Sequence, residues 1–448
     1  MKFIPNSSEK NKMLKEMKIK NIDYLFADIP SNIKIKKLDL PKGLSQQETE
    51  KKLRGIANNN KSYNDILSFI GGGIKPHYIP SIVKSIISRS EFYTAYTPYQ
   101  SEASQGFLQA MFEYQSMIAD LTGMDIANAS LYDGGTALSE AALMCVRIKR
   151  KKSFIIPENI SWEKKSILSN YLKGPDIKIV EVPYDKKTGK VDVKELEDII
   201  DGNVAGVYIE NPNFFGVFED NVNKISNIAK ENGSLFVVGV DPISLGVIKK
   251  PGDYNADIVI GEGRALGNPV DYGGSSLGLF SCKQEFLRQM PGRVIGMTND
   301  NNGKRAFCMA LQTREQHIRR GRATSNICTN EGLCALASAC YLSWYGSQGF
   351  EKLSKINFEN GQKLSKELNL IKGFKRKFES IHFNEFVIQT STDVRELNKK
   401  LLKNNIQGGL ILDKHYPDLK NCMLFGITEL HCEEDIKKIS SVLKEVMS

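Results

Sequence analysis

Between Ser153 and Gly263 five apolar runs recur at regular intervals: SFIIP (153–157), IKIVEVP (177–183), AGVYIENP (205–212), SLFVVGVDP (234–242) and ADIVIGEG (256–263). Each is short, rich in β-branched residues and almost free of interior charge, the pattern of a strand buried on both faces. The intervening segments WEKKSILSNYL, VKELEDII and NVNKISNIAKENG have helical periodicity, and the last is closed by Gly233 at a C-cap position. Strands that alternate with helices run largely parallel, because a parallel pair needs a crossover and the crossover helices cover the sheet. The fold class is therefore α/β, with a large, doubly wound, mostly parallel sheet. Such sheets bind ligands at the carboxyl ends of their strands.

The chain is 448 residues long and 41% apolar, enough for a large core and for about two or three domains. Residues 1–65 read as a charged helical arm that contains YLFADIP. Residues 66–345 form the large α/β domain. Residues 346–448 form a small C-terminal α+β domain, with a helix at 351–368, strands FKRKF, FNEFVIQT, GGLIL and CMLFGIT, and a final helix EEDIKKISSVLKEVM. No run approaches the roughly 18 to 20 apolar residues that cross a bilayer, and MKFIPNSSEKNK has no apolar stretch after its charges, so a cytoplasmic protein with no membrane partner is expected. The net charge of +9 comes from lysines scattered among acids, as in KEMKIK, KKLRGI and KKISSVLKE. No basic stripe or recognition module points to nucleic acid. Eight cysteines occur singly, without CxxC pairs or zinc-ligand spacing, and read as reduced thiols with no metal.

Four constellations can carry chemistry. In LYDGGTALSEAALMCVRIKR, Asp133, Gly134, Gly135 and Thr136 precede a helix, whose free N–H groups and dipole favour an anion; Asp133 or Thr136 could equally serve only as its cap. In FYTAYTPYQSEASQG, Tyr93, Tyr96 and Tyr99 stand at every third residue around Pro98, which suits the wall of a pocket or an interface. In TREQHIRRGRATSNICTNEG, Arg314, His317, Arg319, Arg320 and Arg322 lead into a polar turn with Ser325, Asn326, Thr329 and Asn330. Guanidinium forks of this kind recognise carboxylates or phosphates, although REQHIRR would also serve as a solvated helix face. The loop GEGRALGNP spaces its glycines as GxGxxxG (Gly261, Gly263, Gly267), which is not the dinucleotide fingerprint.

Three stretches, FIGGGIKPHYIP, EFYTAYTPYQSEASQGFLQAMFEYQSMIADLTGMDIANASLYDGGTALSEA and REQHIRRGRATSNICTN, resemble the P-protein family of the glycine cleavage system, on the side of the N-terminal half, or alpha subunit, of its split form. The resemblance runs from YLFADIP to ITELHCEEDI. It implies a fold-type-I pyridoxal-phosphate (PLP) transferase-like architecture. The implied reaction binds glycine to PLP, releases carbon dioxide and passes the aminomethyl group to the lipoyl arm of the H-protein. The family's protein holds PLP by a lysine imine, by its phosphate, and by a carboxylate at the pyridine nitrogen.

Checked against those needs, Asp133, Gly134, Gly135 and Thr136 are the counterpart of the phosphate cup, as a relict. The ring acid would stand near the end of SLFVVGVDP, where Gly239 occupies the aligned place and Asp241 follows two positions later. IIPENIS (155–161) lacks the histidine that active relatives stack on the ring. Where their imine lysine follows the ADIVIGEG strand, this chain has Gly263, Arg264, Ala265, Leu266 and Gly267, and arginine offers no free amine. PLP is therefore expected on a partner beta subunit and not covalently on this chain. The glycines of GEGRALGNP are expected to serve close packing and the loop to hold the neighbouring subunit. Tyr96, Tyr99, Arg322, Thr329 and Asn330 are the candidate contributions to a shared site. The alternatives are an inert scaffold subunit that only stabilises the PLP-bearing partner, and a self-sufficient PLP decarboxylase or desulfurase using another lysine. The expected assembly is two alpha and two beta chains, and the basic charge suits an encounter with an acidic H-protein.

Overall fold

The five predicted runs pair as strands of one seven-stranded sheet in a computed structural model that describes residues 7–35 and 37–447. In order across the sheet the strands are Ile126–Ala127, Gly278–Cys282, Ile258–Glu262, Leu235–Val240, Val204–Glu210, Ser153–Pro157 and Lys178–Val182. Only Gly278–Cys282 runs antiparallel to its neighbours. Every residue of the strands Ser153–Pro157, Val204–Glu210 and Leu235–Val240 is buried. Strand alternation divides them between two cores. Phe154, Tyr208, Val237 and Ile260 pack with helices Gly134–Lys149 and Trp162–Lys173 on one face, whereas Ile155, Val207, Val238 and Val259 pack with Val193–Ile199 and Val222–Glu231 on the other.

Two compact units are present, residues 1–61 and 62–448. In the first, helix Gln46–Ala57 begins with a capping box in which Ser45 and Glu48 exchange hydrogen bonds. No described side chain of this unit is buried, and apolar groups such as Met13, Phe26 and Leu40 are exposed. The first six residues, part of the MKFIPNSSEKNK stretch, lie outside the described residues.

In the second unit the small antiparallel sheet Phe374–Arg376, Glu385–Thr390, Cys422–Gly426 and Leu410–Ile411 contains all four predicted C-terminal strands. Residues 66–70, grouped above with the large domain, belong to this part of the structure instead. Leu67 pairs with Ile406 in a parallel bridge, and the fully buried Phe69 joins the core of Leu364, Phe386 and Phe425. The helix expected from 351 begins earlier: one helical element spans Gly332–Asn369, kinked at Gly346, where φ of 59° suits a residue without a Cβ. Sequence reading missed the strand Gly278–Cys282 and the hairpin of Val294–Asn299 with Arg305–Ala310. GLFSC is short and follows a glycine-rich loop, and the far end of the hairpin strand Val294–Asn299 is exposed, so neither carries a clear period. Among the described residues no helix is long and apolar enough to cross a membrane, no cluster could hold a metal, and all eight cysteines are free.

Candidate active site

A cavity of about 620 Å³ opens at the carboxyl ends of the parallel strands, between the helix that begins at Gly134, the strand ends at Glu210, Val240 and Glu262, and Phe383–Glu385 of the small sheet. This is where an open α/β sheet places its ligand. The helix start is bound up by the chain's own carboxylates. Asp133 Oδ1 accepts the Thr136 N–H at 2.7 Å, the cap that was one of its two readings. Glu262 Oε2 accepts the Gly134 N–H at 3.1 Å, and its Oε1 accepts the N–H groups of Arg264 and Leu277 at 3.0 and 2.9 Å. Burial pushes the Glu262 carboxyl pKa up, against the backbone donors and the nearby Arg264 charge.

Deeper in the cavity lies Gly239, where the resemblance looks for the ring acid, and a Cβ there would lie 2.2 Å from the Tyr208 hydroxyl. Tyr208 is fully buried and donates to Glu210 Oε1 at 2.8 Å, and Lys164 Nζ donates to the same oxygen at 2.5 Å. Asp241 accepts the Ile243 N–H at 3.0 Å and so caps the turn Pro242–Gly246. Two lysines line the cavity, and both are ion-paired: Lys164 with Glu210, and the buried Lys75 with Glu385 at 3.0 Å. Trp162 lies flat against His415, with centroids 4.0 Å apart, so its indole is stacked within the chain.

A PLP molecule needs a free amine, an anion site and an acid at the ring nitrogen. The residues present do not fit it: the amines are held in ion pairs, Glu262 occupies the helix start, and Tyr208 fills the space beside Gly239. Arg264, where the resemblance looks for the imine lysine, is buried and turned onto the following loop, donating to Ser276 Oγ at 2.7 Å and to the Ser275 carbonyl at 3.2 Å.

The GEGRALGNP loop packs largely against its own chain. Gly263, Leu266, Gly267 and Asn268 are buried, a Cβ on Gly267 would lie 2.9 Å from Tyr341 Cβ, and Asn268 reaches Ser338 in the chain's own long helix. Its glycines serve close packing, and the exposed residues begin only at Asp271.

The tyrosine loop and the TSNICTN turn, by contrast, come together, joined by a residue that sequence reading missed. Arg293 is 3% exposed. Its Nη1 donates to Thr329 Oγ1 at 2.7 Å, with Thr97 Oγ1 and Asn330 Oδ1 at 3.4 Å. Its Nη2 donates to the Cys328 carbonyl at 2.9 Å and to Tyr99 Oη at 3.3 Å. The guanidinium also lies 5.5 Å from the Tyr99 ring centroid. Glu315 approaches Arg293 Nε at 3.9 Å and His317 Nδ1 at 3.6 Å, while the His317 ring meets Tyr99 edge-on. Behind the turn, Ser325 donates to the buried Glu140 at 2.8 Å, and Asn330 Nδ2 donates to the Ala129 carbonyl at 3.0 Å. Arg314 is structural, its fork spent on the carbonyls of Met290 and Gly292. Thus Tyr99, Thr329 and Asn330 form one cluster, whereas Tyr96, 80% exposed, and Arg322, also exposed, have no hydrogen-bond partner among the described residues. The available signal for Arg293 was a lone guanidinium in PGRVIG, at the mouth of an apolar strand.

Residues 1–443 match the family model described as glycine cleavage system P-protein. The chain is 45% identical over 446 residues to a probable glycine dehydrogenase (decarboxylating) subunit 1 of Thermococcus onnurineus, covering 99% of each chain. It is 46% identical over 449 residues to its counterpart in Pyrococcus abyssi, again with 99% of each covered. Among solved structures, a glycine decarboxylase (P-protein) of the glycine cleavage system, in inhibitor-bound form, superposes with a TM-score of 0.92 at 37% identity over the whole of both chains. A glutamate decarboxylase of Lactobacillus brevis, at 12% identity and a TM-score of 0.70, covers 93% of this chain and 95% of its own and shares the fold, that of the fold-type-I PLP-dependent enzymes.

Proposed function

Because the chain belongs to the glycine cleavage system P-protein family, in the form its relatives name subunit 1, we propose that it is the alpha subunit of a two-chain enzyme that decarboxylates glycine. In this reading a beta subunit holds the PLP, which supplies the electron sink for decarboxylation. The pair passes the aminomethyl group to the lipoyl arm of the H-protein, in a cytoplasmic assembly of two alpha and two beta chains. The alpha chain lends side chains to the partner's site.

The observation that carries the proposal is the Arg293 cluster. A buried guanidinium holds two loops distant in sequence in one arrangement, with Tyr99 open to solvent at 58% and Tyr96 of the same loop at 80%. A fork of fixed donors costs little further ordering when it positions other groups. Tyr99 and Thr329 are thereby oriented from behind, Asn330 is fixed by the Ala129 carbonyl, and Tyr96 and Arg322 keep free polar tips for glycine, the cofactor or the lipoyl arm. The relict cavity supports the same division of labour, since its own residues do not fit PLP.

The test is turnover in the reconstituted two-chain complex with Tyr96→Phe, Asn330→Ala and Arg322→Met. Reduced turnover with assembly intact is expected. Unchanged turnover in all three would reduce the chain to a scaffold. Mixing the purified chain with PLP and then borohydride is expected to label no lysine; a labelled lysine on this chain would revive the self-sufficient enzyme.

A further inference from the structure

The first turn of helix Gly134–Lys149 has the make-up of an anion site: two consecutive glycines, backbone donors with no partner inside the helix and the positive end of a 16-residue dipole. It already holds an anion. The Glu262 carboxylate comes from a strand end 128 residues away in sequence and takes the Gly134 N–H with one oxygen. Its other oxygen takes the N–H groups of Arg264 and Leu277. Three backbone donors from three segments therefore converge on one carboxylate at 2.9 to 3.1 Å, the geometry by which such turns receive phosphate oxygens.

Side chains of the chain also crowd the two glycines. A Cβ on Gly134 would touch Glu262 Cβ at 3.3 Å, and one on Gly135 would lie 2.6 Å from Ile167 Cδ1. The glycines bring the chain's own side chains close at the wall of the cavity. The cavity's charge also opposes an incoming anion, because six carboxyl side chains line it against two lysines and one arginine. Burial raises the cost of the Glu262 charge, so without its three donors the carboxylate would be a strongly destabilising group.

We propose that Glu262 is a built-in anion that occupies the phosphate-binding turn of this subunit, closing it to phosphate-bearing ligands, so that removing its carboxylate reopens an anion site on this chain. The assignment concerns this chain alone and stands whether or not the Arg293 cluster serves a partner's active site.

Equilibrium dialysis of the full chain against radiolabelled inorganic phosphate tests it. Wild type is expected to show no saturable binding, and Glu262→Ala about one phosphate per chain, at least about tenfold tighter than any wild-type binding, as the loss of a competing anion worth ~1.4 kcal/mol requires. PLP is expected to compete for the same site. If Glu262→Ala is not recovered folded, Glu262→Ser, whose hydroxyl can still cap the turn, is measured in the same way. A folded variant that binds no phosphate, or a wild-type chain that binds it equally well, overturns the proposal. A thermal midpoint raised by phosphate in the variant beyond the rise in wild type is the corroborating readout, since a ligand that binds only the native state stabilises it by mass action.

Discussion

Replacing Arg293 by methionine keeps the apolar stem and removes the fork. Two short hydrogen bonds to a charged donor are lost, to Thr329 at 2.7 Å and to the Cys328 carbonyl at 2.9 Å, at about 1.5 to 3 kcal/mol each. Glu315, with its side chain 10% exposed, loses the guanidinium and keeps only the His317 ring beside it. Breaking one partner out of a buried pair costs about 3 to 5 kcal/mol, so the two estimates overlap. The loss falls first on the 324–331 turn, whose amides at Ile327, Cys328 and Glu331 rest on the side chains of Ser325, Tyr132 and Ser130. Local opening made easier by about 3 kcal/mol corresponds to roughly 100-fold faster amide exchange. Hydrogen exchange by mass spectrometry on peptides covering 324–331, with peptides in the Val204–Glu210 strand as an internal reference, measures it. Arg293→Lys, which keeps the charge beside Glu315 without the fork, is expected to fall between. Exchange in the turn within about twofold of wild type for Arg293→Met would show that Arg293 does not hold the two loops, and the shared-site reading would lose its structural support.

His382 is buried, which depresses its pKa to about 4, so the folded chain keeps it neutral while the unfolded chain protonates near 6.5. The unfolded state then binds the extra proton below about pH 6.5, and stability is lost as pH falls from there toward 4, by about 3 kcal/mol at most. Urea midpoints across this window check the slope, which His382→Leu should flatten. Gly239→Ala drives a methyl into the Tyr208 hydroxyl and should cost about 2 to 3 kcal/mol, part of it recovered in the double variant with Tyr208→Phe; additive losses would show that the two do not meet. Arg264→Lys alone is expected to leave the chain without a borohydride-stable PLP adduct by mass spectrometry, since an amine restored there faces a filled anion turn. The apparent affinity of the complex for the H-protein should fall as salt rises, and a salt-independent value would remove any role for the +9 charge in that encounter.

What could be read in the chain before its structure divides along the range of the interactions. The strands and crossover helices announce themselves because burial and periodicity are local, and Gly233 lies one residue beyond the C-cap Asn232 of its helix. The expectations that arginine stands at 264 and glycine at 239, where the resemblance looks for a lysine and an acid, need only a position along a strand. What filled those places was not legible, because each replacement comes from elsewhere in the chain. Tyr208 reaches Gly239 from the neighbouring strand, Glu262 reaches Gly134 across 128 residues, and Arg293 meets Tyr99 and Thr329 from opposite sides in sequence. The direction of the change follows from this. Losing one lysine would disable a cofactor site, but here the ring space is packed by a tyrosine, the anion turn is neutralised by a carboxylate and both cavity lysines are paired. Buried polar groups left unmatched would be costly, and each of these groups has an internal partner. The Arg293 cluster has the opposite character, a buried cation whose two terminal nitrogens hold Thr329, the Cys328 carbonyl and the exposed Tyr99, and the proposed function rests on it rather than on the cavity.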